Sequence, residues 1–335
     1  MPGITFMEGS GLQDSIFGKS QEPIQKFLEK RAEAFEQHSC VKELFSMGTS
    51  KNYAEKLTAM TGMEGFQPVG ENGAYPEDSM QESFSKTLEH ETWKDSFAIS
   101  REMVDDVKVM DLKKKPEAFI AGYHRTRERF GAALMAGAAM GDKSVTFGGK
   151  KFDATAADAQ SLFSKAHPSK LGKKAQSNCF SDAFSNAALA AAEARIQDFR
   201  GDVGEVLNIM PTRIVIPNLY SLKMDVFAAI GADKDPDTNH NGFNYNFGRW
   251  TVTVNPYLNE FIEDGSAPWI VMADDYNETA GGAVWFDRVN LEVTSKLADN
   301  DANVWKGYAR FSAGFNDWRF ACCGGMTGGD KLIAG

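Results

Sequence analysis

The chain has 335 residues, 42% hydrophobic and 24% charged, with 46 acidic against 36 basic side chains and a formal net charge of −10. That length buries a core without disulfide or metal staples, and the acid excess argues against tight reading of nucleic acid, which needs a basic face. No run reaches the roughly 18–20 apolar residues of a membrane span. The segment Met1–Glu8 has neither a basic start nor an apolar h-region, so a secretory signal is not expected and synthesis inside the cell is.

Residues 1–19, rich in Gly and Ser, read as a flexible arm. Ser20 and Pro23 then open an amphipathic helix over about 20–37, with Ile24, Phe27, Leu28 and Phe35 on one stripe, continued or followed by Val41–Ser46. Residues 47–80 read as mostly loop, because Gly62, Gly65, Pro68, Gly70, Gly73 and Pro76 punctuate them. A two-stranded ribbon follows, Ser83–Glu89 and Thr92–Ser100, too thin to bury its own faces. A long helix opened by Pro116 runs to about Met140, a rod of roughly 37 Å. Phe119, Ile120, Tyr123, Phe130 and Leu134 line its apolar side. Arg125, Arg127, Glu128 and Arg129 fill the other, which reads as solvated.

Beyond it, Thr146–Phe152 reads as a hairpin on Gly148-Gly149. Ser181–Phe199 reads as an alanine-rich helix capped by Ser181 or Asp182. A short buried strand, Arg213–Ile216, stops at Pro217 and leads into a helix over Leu219–Ile230. Arg249–Val254, Trp269–Ala273, Ala283–Asp287 and Asn290–Thr294 read as strands, and Trp305–Cys323 alternates aromatic with polar residues. The mixture is α+β, without an internal repeat.

Motifs for chemistry are incomplete. Gly18-Lys19-Ser20 ends like a phosphate-binding loop, but Gln13 stands where its first glycine belongs. Asp237, Asn239, Asn241 and Gly242 match half a calcium loop, but Gly248 occupies the position of the bidentate Glu. None of the five histidines has a second ligand at metal spacing, no Gly-x-Ser-x-Gly elbow occurs, and the pairs Asp105/Asp106 and Asp274/Asp275 read as solvated pairs or caps. Cys40, Cys179, Cys322 and Cys323 read as four reduced thiols, not a disulfide framework or zinc site. No catalytic, cofactor-binding or metal residue is assigned, and no cofactor is expected.

Taken in order, these pieces resemble the major capsid protein of tailed bacteriophages, with the Hong Kong 97-like fold. Ile99-Ser100-Arg101-Glu102-Met103 looks like the strand end leading out of that family's extended loop. Ile209–Pro217 with Leu219–Ile230 resembles the strand and helix of its axial domain, and Gly307-Tyr308-Ala309-Arg310-Phe311 resembles its late peripheral strand. The resemblance implies an N-terminal arm (1–60), an extended hairpin loop (61–100), a first part of the peripheral domain (101–175) with spine helix 116–140, an axial domain (176–270), and return strands with a C-terminal tail (271–335). It implies hexamers and pentamers closing an icosahedral shell around phage DNA. The subunit would be made in the host cytoplasm and end in the virion, without membrane contact, and would touch the DNA only weakly and non-specifically. No long charged coiled coil precedes the arm, so a scaffold is expected to be a separate protein or already removed, and a portal and a decoration protein are expected as separate partners.

Contact between subunits is expected at Phe84, Lys86, Leu88, Trp93, Lys94 and Phe97 of the ribbon and at Arg125 and Arg129 of the helix. Lys86 and Lys94 read as exposed lysines, not cross-linking groups. Two other readings fit the same sequence, an encapsulin-type compartment shell and a soluble α+β enzyme with a dispersed site.

Overall fold

The computed structural model describes residues 5–7, 35, 39–62, 66, 68–69, 74–75, 77, 81–105, 109–231, 244–300 and 302–332. The expected helix at 20–37 (apart from Phe35), the Ile16–Ser20 motif, the Asp237–Gly242 turn and most of 61–80 lie outside these residues.

In chain order the elements are β1 (Thr5–Met7), α1 (Val41–Leu44), β2 (Ser46–Thr49), β3 (Ala54–Met60), β4 (Glu82–Glu89), β5 (Glu91–Ile99), α2 (Arg101–Asp105), α3 (Val109–Ala139), β6 (Ser144–Phe147) and β7 (Lys150–Asp153). There follow α4 (Asn186–Gln197), β8 (Arg213–Pro217), α5 (Tyr220–Gly231), β9 (Thr251–Asn255), β10 (Trp269–Met272), α6 (Asp274–Ala280), β11 (Ala283–Leu297), β12 (Asn303–Phe315) and β13 (Ala321–Gly324). The chain divides into two units, one of Met1–Glu55, Leu88–Phe130 and Trp285–Ala313, the other of Lys56–Thr87, Gly131–Val284 and Gly314–Gly335.

The first unit is built on a five-stranded sheet ordered β1-β11-β12-β5, with β2 also on β11. β5 runs antiparallel to β12, pairing Phe97 with Trp305 and Trp93 with Ala309. Alternation places Asn303, Trp305, Gly307, Ala309 and Phe311 on the buried face of β12. Phe119 of α3 meets Phe97 at 5.1 Å and Phe130 meets Trp93 at 5.4 Å between ring centroids. Trp285, Phe311 and Phe45 complete this aromatic core.

The second unit holds a four-stranded sheet ordered β13-β10-β8-β9. β10 is antiparallel to β8 and β13, and β8 is parallel to β9. Every residue of β10 and β13 is buried, which explains why β10 reads as a continuous apolar run, whereas Ala321–Cys323, read as the end of an alternating stretch, is buried throughout. Helix α4 buries Ala188, Leu189, Ala192 and Ile196, and α5 buries Leu222, Val226 and Ala229.

Four expectations are corrected. The two ribbon strands exist at the expected residues but do not pair with each other. Only His90 separates Glu89 from Glu91, and one residue cannot reverse a chain whose tightest common hairpin loop has two. β4 instead pairs with β3, so the ribbon comprises Ala54–Met60 and Glu82–Glu89 and a strand stands where loop was expected. Bonds from Thr61 N to Gln81 O (2.8 Å) and from Gln81 N to Thr61 Oγ1 (2.9 Å) close its distal end.

The long helix begins at Val109, with Pro116 inside it, giving about 46 Å instead of 37. The Lys115 ammonium, 2.7 Å from the Ala98 carbonyl, ties this early part of the helix to the end of β5. The alanine-rich helix starts at Asn186, capped by Ser185, whose Oγ accepts from Ala188 N. The Asp182 carboxylate serves the C-terminal segment instead, its Oδ2 accepting from Leu332 N at 2.8 Å. Finally, Ala283–Asp287 and Asn290–Thr294 are one strand of 15 residues. The Gly148-Gly149 hairpin stands as expected, with both glycines at positive φ (57° and 80°).

Candidate assembly surface

Ribbon strand β4 alternates, so its side chains divide between two faces. Lys86 and Leu88 point inward, each 7% exposed. The Lys86 ammonium lies 3.1 Å from Asp153 and bonds the carbonyl and hydroxyl of Thr155. Burial lowers its pKa, with Asp153 pulling the other way. The expectation of an exposed Lys86 is therefore corrected: the period-two alternation puts the ammonium on the packed face, where a carboxylate meets it. Phe84, half-buried on the same strand, lies beneath Lys170, whose ammonium is 5.1 Å from the ring centroid.

On β5 the odd positions turn toward α3. Trp93 stacks on Phe311 at 4.8 Å and 5°, and Phe97 stacks on Trp305 at 6.0 Å and 2°. Both remain half-buried. Lys94 faces outward over Tyr308, at 5.8 Å from its centroid. Arg125 is exposed and Arg129 half-buried on α3. Of the eight expected contact residues, then, Lys94 and Arg125 present themselves fully, four are partly available, and Lys86 and Leu88 are used within the subunit.

Arg127 was expected on the solvated side of the helix and is instead buried. It forks onto Asp287 at 2.6 and 2.9 Å and lies over Trp285 and Phe311 at 4.8 and 5.1 Å. Burial pulls its pKa down, but Tyr123 and Asp287 outweigh that and raise it. Glu128, also expected in solvent, receives Ser39 Oγ and the Cys40 and Val41 amides at the start of α1. Burial raises its pKa while those three donors oppose the shift. The sequence signal for Arg127 was Asp287 itself, a carboxylate that directly follows the apolar run Ala283–Phe286.

Two buried histidines went unassigned in the sequence. His90 bridges Ser50 (2.9 Å) and Ser312 (3.0 Å). His167 sits 2.7 Å from Asp158 and 3.1 Å from Asn178, stacked on Trp318 at 4.2 Å. A carboxylate orienting an imidazole is half of a nucleophilic triad. Here the imidazole is fully enclosed (0% side-chain exposure) with both nitrogens engaged, so no substrate can reach it. Its work is structural.

The remaining outward feature was missed by pattern reading. Helix α5 buries one face, yet Tyr220, Met224 and Phe227, at i, i+4 and i+7, are 82%, 56% and 49% exposed. A helix apolar on both sides is one that buries both sides. All four cysteines are free, as expected, and Cys179, Cys322 and Cys323 are buried. Among the described residues no group of His, Cys, Asp and Glu could hold a metal ion.

A long helix laid on a mixed sheet, an extended ribbon, an apolar helix face turned outward and enclosed polar centres are the features of a structural building block. A family model described as "Phage capsid protein" matches residues 84–323, well over half of the chain. The chain belongs to the phage capsid protein family, and its fold is Hong Kong 97-like. Among solved structures it is similar to the capsid of cyanophage P-SCSP1u (9% identity, 86% of this chain and 88% of that one, TM-score 0.50). It is also similar to the capsid of Ralstonia phage GP4 (9%, 81% and 82%, 0.49) and a virus-like particle from Pyrococcus furiosus (9%, 90% and 97%, 0.45). The search of curated proteins returned no match. The family match makes this a structural major capsid protein of the virion and disfavours the encapsulin reading.

Proposed function

We propose that the subunit assembles through hexamers and pentamers into an icosahedral shell that encloses phage DNA, with no catalytic step of its own. It is made in the host cytoplasm and works with separate scaffold and portal proteins and a decoration protein. The observation that carries this reading is the outward apolar stripe Tyr220, Met224 and Phe227 on a helix whose other face is already in the core. Copies of the same chain at high local concentration turn such small contacts into a multivalent lattice.

In this reading the residues before β3 form the arm, β3 and β4 with the segment between them form the extended loop, in place of the expected 61–100, and α3 is the spine. The strands β8, β9 and β10 with α4 and α5 belong to the axial domain, β13 of the C-terminal tail adds to the edge of their sheet, and β11 and β12 are the return strands. Lys94, Arg125, Phe84, Trp93, Phe97 and Arg129 supply contacts with neighbours, whereas Lys86 and Leu88 hold the loop strand in its own subunit. The test is electron microscopy of the purified chain with the triple change Tyr220→Ser, Met224→Ser, Phe227→Ser beside wild type. Wild-type shells and dispersed, folded variant subunits are expected. A wild-type chain that stays monomeric when concentrated, or variant shells of normal size, would overturn the reading.

A further inference from the structure

We propose that a cationic cup in the second unit binds phosphate groups, and that the phosphodiester backbone of packaged nucleic acid is its occupant. The cup is a cavity of about 470 Å³ whose lining includes Lys173, Lys174, Arg195 and Arg200 against the single carboxylate of Asp198. Four cations around one concavity stand out in a chain whose net charge is −10.

The wall is prebuilt. The paired backbones of His167 and Gln176 close the loop that carries Lys173 and Lys174. The Gln176 side-chain amide then clasps Arg200 twice, giving its Nε2 proton to the Arg200 carbonyl (2.9 Å) and accepting from Arg200 N (2.8 Å). Arg200 reaches back to the Gly204 carbonyl at 3.0 Å, which fixes the opposite rim. The amides of Gly201 and Gly204 are consumed inside that loop, so recognition falls to side chains and not to a backbone nest.

Two further acids neighbour the cup: the Glu205 carboxylate packs against Gly201 outside the lining, and Asp202 is turned elsewhere. Asp202 receives Ser83 Oγ (2.6 Å), Lys170 N (3.2 Å) and Arg319 (3.3 Å). Among the described residues no carboxylate lies within salt-bridge distance of Lys173, Lys174 or Arg195. A net charge of +3 suits a repeating polyanion better than one carboxylate, and Arg with Lys is the usual pairing for phosphate oxygens. Naming nucleic acid as the occupant rests on the shell reading, whereas the phosphate chemistry stands on the cup alone.

The test titrates the full-length protein with a short DNA duplex and, separately, with inorganic phosphate, at several salt concentrations. Lys173→Ala, Lys174→Ala, Arg195→Ala combined is expected to weaken duplex binding at least about tenfold and to lower the slope of log K against log salt by about 2–3, at unchanged melting temperature. Lys306→Ala, exposed outside the cup, is expected to leave binding unchanged. Equal binding by the triple variant overturns the proposal. Binding of inorganic phosphate without the duplex overturns the nucleic-acid occupant. Loss of assembly with duplex binding intact also overturns it, by assigning the cup to carboxylates of a second copy. Wild-type shells that bind no duplex sink this inference and spare the shell reading, and duplex binding without shells does the reverse.

Discussion

The guanidinium of Arg127 and the carboxylate of Asp287, 160 positions apart, meet as a two-point fork with no room for water between them. Trp285 Nε1 donates a further bond to Asp287 Oδ1 at 3.0 Å, and the Trp285 and Phe311 rings flank the cation. The pair pins the spine helix to β11. Removing one partner leaves the other charge buried and unpaired. Arg127→Ala is expected to cost about 3–5 kcal/mol, and Arg127→Met with Asp287→Leu to cost distinctly less, because no charge is stranded. Urea unfolding of unassembled subunits measures both, and equal losses would contradict the account.

Lys86 and Lys94 differ in environment although they share the expected ribbon. Acetylation under native conditions should modify Lys94 rapidly and Lys86 slowly, because only Lys94 is exposed. Lys86→Ala is expected to destabilise by about 1–2 kcal/mol, a discounted figure because Asp153 is 58% exposed. Mass spectrometry of tryptic peptides and a melting curve test the two halves.

His124 stacks on Phe35 and meets Tyr123 edge-on, with Nε2 buried and unpartnered in the described structure. Burial, then Arg127 and Lys42, lowers its pKa from 6.5 to about 4. A depressed histidine pKa means that the unfolded chain takes up the proton first. Its contribution is therefore complete above about pH 6.5 and is lost as pH falls toward 4, amounting to roughly 3 kcal/mol at most. His90, lowered by burial and Arg288, adds loss of the same sign. His124→Phe should flatten the decline in melting temperature between pH 7 and pH 4.5, and an unchanged slope would refute the assignment.

Gly307 lies where β12 passes under the spine helix. A Cβ there would stand 2.4 Å from Phe119 Cζ and 3.2 Å from a Leu291 methyl. Gly307→Ala should cost about 1–3 kcal/mol, and pairing it with Phe119→Leu should recover part of the loss. Thermal unfolding of the two variants decides.

Much of this architecture was legible before any coordinates. The Gly148-Gly149 hairpin, the strand stopping at Pro217, helix α5 and the spine helix follow from local signals whose physics operates over a few residues: glycine at positive φ, proline without an amide, apolar side chains at helical spacing. The order of those elements sufficed to point to the capsid family. The candidate surface was only partly legible. Lys94 and Arg125 fell on the outside as expected. Lys86 and Arg127 did not, since composition cannot tell a solvated cation from one with a distant carboxylate.

What tertiary structure alone decided is who pairs with whom. β4 chose β3 and β5 chose β12, although β4 and β5 are adjacent in the chain, because a one-residue joint cannot fold back. Asp287 chose Arg127, and Asp158 chose His167, because a charge withdrawn from water takes the nearest partner that folding brings within reach. Sequence periodicity sets which face of an element is apolar. Only the packed chain reveals which of those faces, like that of Tyr220, Met224 and Phe227, still lacks a cover.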